Sequence, residues 1–144
     1  MFKHVLIPTD GSPLSERAAL GAIGLAKALS ARVTAISVSD PFHVFAANPK
    51  VKDTAEGYKE DCEKRAAAYL DGVGKAAAAA GVAFDGMHVF AERAYAAIIE
   101  AADDKGCDAI CMASHGRTGL AAVFLGSVTV EVLTHSRIPV VVWR

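Results

Sequence analysis

Hydrophobic residues fall along this chain in two alternating rhythms. Short β-branched or apolar runs appear at 4-HVLIP-8, 32-RVTAISV-38, 82-VAFDGMHVF-90, 108-DAICMA-113 and 138-IPVVVW-143. Each has strand length. Several are apolar at consecutive positions, the pattern of strands buried on both faces of a parallel sheet. Between them the apolar spacing changes to three and four. Leu14, Ala18, Ala22, Leu25 and Leu29 form one such stripe, entered through Ser12-Pro13, an N-cap followed by proline at the first helical position. Tyr58, Cys62, Ala66, Tyr69 and Val73 form a second, within 54–80, with Lys59, Glu60, Glu63 and Lys64 on the opposite face. Gly72 and Gly74 are expected to weaken that helix near its end, and Gly81 to cap it. Ala94, Ala97, Ile98, Ala101 and Ala102 form a third stripe that closes near Gly106. A last helix is expected from Gly126-Ser127 to about Ser136.

The resulting order is β-α-β-α-β-α-β-α-β. It predicts an α/β fold: an open, twisted, five-stranded parallel sheet with helices on both faces, in one domain spanning 1–144. Ligands of such sheets bind beyond the carboxyl ends of the strands, where the strand order switches direction. Three segments lie there: 8-PTDGS-12, the segment after Val38, and 113-ASHGRTGLAAVFLGS-127. The longest irregular piece, 39–53, has the length of a lid or a binding loop.

Composition narrows the function classes. The chain has 144 residues, is 53% hydrophobic and carries a formal net charge of −1. Nothing in that balance draws it to nucleic acid or to an anionic membrane. No apolar run reaches the roughly 20 residues of a membrane-spanning helix. The N-terminal stretch lacks the features of a signal peptide and reads as the start of the fold. Cys62, Cys107 and Cys111 are odd in number and form no C-x-x-C, which argues against a disulfide framework or a zinc site. A cytoplasmic, reducing location fits this usage.

The candidate chemistry lies in the glycine-rich stretch. Gly126 and Ser127 open a helix, where free N–H groups and the helix dipole favour an anion. A phosphate chain running from 113–117 to that helix start would meet backbone donors at both ends. The Ser127 hydroxyl would add another, and Arg117 would offset charge. The competing reading is a glycine-rich connection that only joins a strand to a helix. The 12 residues between Met112 and Leu125 exceed the usual 2–6 of such connections. Neither G-x-x-x-x-G-K-[ST] nor G-x-G-x-x-G occurs, which disfavours a P-loop NTPase or an ordinary NAD-binding domain. Asp10 has two readings: a partner for ribose or for a divalent metal beside phosphates, or an organiser of the Asp-Gly-Ser-Pro turn. His4, His43, His88, His115 and His135 form no ligand cluster. His115 reads as a loop histidine that packs or hydrogen-bonds.

These pieces together resemble the universal stress proteins, over essentially the whole chain. The resemblance is carried by 5-VLIPTDGS-12, 33-VTAISV-38, 108-DAICMASHGRTG-119, 126-GSVTVEVL-133 and 138-IPVVVW-143. The nucleotide-binding branch of that family has Gly, two residues, Gly, nine residues, then Gly-Ser or Gly-Thr. Gly116 and Gly126-Ser127 match the second half, while Ala113 stands where the first glycine is expected. A methyl group there is expected to crowd the phosphates. A second departure is 90-FAERAYA-96, which lacks the glycine usual after strand three. The resemblance implies that Pro8, Thr9 and Asp10 border adenine and ribose, and that the Val38 backbone meets the adenine edge. It implies Met112, Ala113, Gly116 and Arg117 at ribose and phosphates, and Gly126, Ser127, Val128 and Thr129 around the phosphates. It further implies ATP, AMP or another adenine nucleotide as ligand, with Mg²⁺ or Mn²⁺ at Asp10. A homodimer through strand 138–143 is implied too, with protein partners whose identity is open. No residue stands out as a general base or P-loop lysine, so the expectation is a nucleotide-responsive regulator with at most weak ATPase activity. Two alternatives remain at this point: a dimeric module of the same fold without nucleotide, and an adenylate-forming enzyme. The second lacks the Ser/Gly-rich loop after strand one beyond Gly11 and Ser12.

Overall fold

The structure, a computed structural model, describes residues 1–116 and 124–144. In chain order its elements are β1 (His4–Pro8), α1 (Pro13–Leu29), β2 (Arg32–Ser39), α2 (Phe42–Phe45), α3 (Ala55–Ala80), β3 (Phe84–Phe90), α4 (Ala94–Asp104), β4 (Ala109–Ala113), α5 (Ser127–His135) and β5 (Val140–Trp143). The strands form one parallel sheet in the order β3-β2-β1-β4-β5. The chain reverses its direction of winding between β1 and β4, so the carboxyl ends of these two strands flank the switch point.

Strand alternation sorts the core into two layers. Val5, Ile7, Ala35 and Cys111 pack against α1 and α3, together with Ala22, Ala26 and Ala77. Leu6, Ile36, Ile110 and Met112 face the other way, onto Ile98, Ala101 and Ala102 of α4 and Val132 of α5. Val5, Leu6, Ile7 and Ile110 are fully buried, which accounts for their lack of polar alternation. All three cysteines are free and buried. Burial pushes the Cys107 and Cys111 thiols up to about 11, so both are neutral at physiological pH.

Helix ends follow the expected chemistry, with some differences. The Ser12 hydroxyl accepts from Ser15 N–H at 3.2 Å and that of Thr54 from Gly57 N–H at 3.0 Å. Gly81 caps α3 in the left-handed region at φ +73°. The helix runs on through Gly72 and Gly74 to Ala80. At Gly74 the missing side chain makes room: an added Cβ would lie 2.9 Å from the Phe84 ring. β3 starts at Phe84 rather than at 82, because Val82 N–H closes the helix end by donating to the Ala77 carbonyl at 2.9 Å. β5 starts at Val140, after a turn in which the Ser136 hydroxyl donates to the Ile138 carbonyl at 2.8 Å.

The 39–53 connection is not a lid over the cavity described below. It carries the single turn α2 and folds back onto α3. Phe45 stacks on Tyr58 with ring centroids 4.1 Å apart, and the Tyr58 hydroxyl donates to the Asp40 carbonyl at 2.7 Å. His43 pairs with Glu92, tying α2 to the segment before α4.

Candidate functional site

The site begins where β1 runs out. The ladder between β1 and β2 ends at Pro8 opposite Ile36, with Thr9 N–H donating to the Ile36 carbonyl at 2.9 Å. Backbone direction alternates along β2. Arg32 N–H reaches β1 at Lys3, whereas Val33 N–H and the Ser39 carbonyl bond on the β3 side. Val38 shares the parity of Arg32 and Ile36. Its N–H and C=O therefore point toward the gap left where β1 turns away.

That turn is made by Thr9 to Ser12. Gly11 adopts φ +73°, open to glycine without strain, and lies beneath the Tyr69 ring. The Asp10 carboxylate accepts from Ser12 N–H at 3.0 Å, so Asp10 organises the turn in the way its sequence context suggests. The same carboxylate lies against Gly116, where any side chain would collide with Asp10 Oδ2. Thr9, Ser12 and Ser15 form a buried hydroxyl cluster behind it. Ser15 Oγ donates to the Ser12 carbonyl at 2.9 Å and lies 3.3 Å from Thr9 Oγ1.

Across the switch point, the tip of β4 holds the start of α5. Gly126 N–H donates to the Ser114 carbonyl at 2.7 Å, and the buried Thr129 hydroxyl donates to the Ala113 carbonyl at 2.9 Å. These two bonds fix the direction of the helix. Gly126 is needed for the approach itself: an added Cβ would sit 3.2 Å from His115 Cα and 3.4 Å from the Ser114 carbonyl. No side chain caps α5, in contrast with α1 and α3. The N–H groups of Ser127, Val128 and Thr129 thus have no partner within the helix, and the dipole adds partial positive charge there.

Between these two edges lies a cavity of about 530 Å³, within the range of small-ligand sites. Pro8, Thr9, Asp10, Val38, Met112, Ala113, Gly116, Gly126, Ser127, Val128 and Thr129 all line it. Arg117 lies outside the described residues. Among the described residues Ser15, Ile36, Ala94, Ile98, His115, Phe124 and Leu125 also line it. Of these, Ile36 and Ile98 carried a core signal only, and Ser15 and Ala94 carried no site signal. Asp10 is the single carboxylate on the wall among the described residues, and none of them there is lysine or arginine.

Ala113, itself a residue of the cavity wall, carries its methyl group on the α1 side of the sheet. Ala113 shares strand parity with Cys111, and its side chain packs with Leu14 and Ala18 of α1. The cavity walls formed by Ile36, Ile98 and Met112 belong to the opposite core layer.

The sequence model of the universal stress protein family matches residues 1–144. The chain belongs to the universal stress protein family. Universal stress protein MJ0531 of Methanocaldococcus jannaschii is 36% identical over 146 residues, covering 99% of this chain and 82% of the relative. Two solved structures extend the likeness to three dimensions. MJ0577, whose biochemical function was assigned from its structure, superposes with a TM-score of 0.79 at 28% identity, over 99% of this chain and 95% of that one. A universal stress protein in complex with cAMP superposes with a TM-score of 0.74 at 25% identity, over 99% and 97%. The five-stranded parallel sheet is thus the universal stress protein fold. No helix among the described residues is long and apolar enough to cross a membrane.

Proposed function

We propose that this universal stress protein binds an adenine nucleotide, with ATP as the leading candidate, in the cavity at the β1/β4 switch point. On this reading it acts through protein partners as a cytoplasmic, homodimeric regulator of the stress response. The observation that carries the reading is the pairing of two backbone features across one cavity. At one end, Val38 offers an N–H and a C=O past the end of the β1 ladder, matching a base edge that both accepts and donates, as adenine does. At the other, the uncapped start of α5 offers its first-turn amides to phosphate. Apolar walls at Ile36, Ile98 and Met112 suit the faces of a purine. The related structure with cAMP holds the same class of ligand.

The described residues include no group of three or more His, Cys, Asp or Glu that would hold a metal by themselves. A Mg²⁺ or Mn²⁺ ion fits only as a companion of the phosphates, with Asp10 as its protein ligand. Its contribution would be charge neutralisation of the phosphate chain. Among the described wall residues the groups able to take a proton are Asp10, which accepts from Ser12 N–H, and His115, whose Nδ1 lies 3.1 Å from Ser114 Oγ. The proposed role is binding, with at most weak ATP hydrolysis. The homodimer reading is supported by β5 at the sheet edge, where Val140, Val141 and Val142 are half-buried and Trp143 is 38% exposed. An apolar edge strand favours pairing with a second copy.

The test is to denature protein purified without added nucleotide and identify what is released, then to measure melting with and without MgATP. Adenine nucleotide in the supernatant, or a rise of several degrees with ATP, is the expected result. A protein that releases none and shows no shift with ATP, ADP or AMP contradicts the proposal and leaves the nucleotide-free dimeric module.

A further inference from the structure

A triphosphate would bring several negative charges to a cavity whose described walls hold no lysine or arginine, Arg117 lying outside the described residues. One helix terminus contributes only about half a positive charge. A second cavity of about 440 Å³ adjoins the first, with His115 and Gly116 in the walls of both. Gly11, Ser12 and Leu14 form part of its wall, and Arg17 is the one fixed cation among its described residues. Arg17 lies on the same face of α1 as Leu14. Helical side chains lean toward the helix N-terminus, which directs the guanidinium toward the Gly11–Ser12 turn and the His115–Gly116 segment.

Arg17 is exposed and makes no ion pair with a described residue, whereas Lys59, Lys75 and Lys105 each sit against a carboxylate. The stretch 117–123 contains no acid. A guanidinium with its fork of donors uncommitted, in the wall of a cavity that shares His115 and Gly116 with the nucleotide site, suits terminal phosphate oxygens. We propose that Arg17 binds the far end of the phosphate chain, and that the second cavity makes this protein select nucleoside triphosphates over monophosphates. The proposal rests on the nucleotide reading above and adds a specificity residue to it. Packing does not depend on Arg17, since α1 buries Leu14, Ala18 and Ala22 instead.

Calorimetric titration of ATP and AMP into wild type, Arg17→Gln and Arg17→Lys tests this. Arg17→Gln is expected to weaken ATP roughly tenfold while leaving AMP within about twofold, and Arg17→Lys, which keeps the charge but not the fork, to fall between wild type and Arg17→Gln. Melting temperatures of the three proteins without ligand are expected to agree. Equal losses for ATP and AMP, or unchanged ATP affinity in Arg17→Gln, overturn the assignment while leaving the nucleotide site intact. A wild type that binds neither nucleotide overturns the nucleotide reading, and this proposal with it.

Discussion

Ser127→Asp is expected to weaken adenine-nucleotide binding by at least about a hundredfold, while the protein without ligand melts no lower than wild type. The two effects have opposite signs because they draw on the same charge distribution. Ser127 is the first residue of α5, is exposed, and lines the cavity. A carboxylate there meets the partial positive end of the helix, which is worth about 0.3–1 kcal/mol in favour of the folded state. The same carboxylate would stand beside the phosphates that the first-turn amides receive. Two unit charges about 4 Å apart near a protein surface repel by about 4 kcal/mol at an effective dielectric of about 20. Solvent screening reduces this, and a remaining penalty of about 2.7 kcal/mol already gives a hundredfold loss. Gly126→Asp is a poorer probe, because its Cβ would crowd the His115 backbone and disturb the segment itself. Calorimetric titration and thermal melting of Ser127→Asp together check both signs. Loss of stability along with binding would show that Ser127 serves packing rather than phosphate.

Ile110→Ala is expected to destabilise the fold by about 3 kcal/mol, within the 2–5 kcal/mol seen for such truncations. Ile110 is fully buried in β4 and packs in the layer that contains Leu6, Ile98, Met112 and Val132. It pairs with Leu6 on one side and Val140 on the other. Truncation removes contacts that seat α4 and α5 on the sheet and leaves a cavity with little freedom to collapse. In a domain of this size the melting temperature should fall by roughly 10 °C. Denaturant titration checks the figure. A loss under about 1 kcal/mol would mean that the site collapses around the missing atoms far more readily than this packing implies.

The elements that could be read from the sequence were those whose signal is local. β1 and β4 stand out because both faces are buried, which removes alternation from HVLIP and AICMA. α1 and α3 announce their ends through Ser12-Pro13 and Gly81, residues whose side chain or lack of one satisfies a helix terminus directly. The start of β3 was hidden because Val82 looks like a strand residue but spends its N–H on closing α3. The packing of 39–53 on α3 was hidden because it depends on Tyr58, thirteen residues beyond Phe45 in sequence, acting as both a ring partner and a donor. Glycine spacing drew attention to Gly116 and Gly126, yet the structure gives each a steric reason as well, against Asp10 and against His115. The face taken by the Ala113 methyl follows from its parity with Cys111, but only once the register of β4 is fixed. Ser15 and Ala94 carry no motif and reach the cavity through the placement of α1 and α4 alone.

The central claim is that a purine edge at Val38 and a phosphate chain at the start of α5 share one cavity. Backbone amide NMR during titration with MgATP tests it most directly. The account predicts that the largest shifts fall together on Val38 and on Ser127, Val128 and Thr129, and that they saturate with a single affinity. Shifts confined to other surfaces, or amides at Val38 and α5 that stay unmoved at saturating ATP, would contradict it.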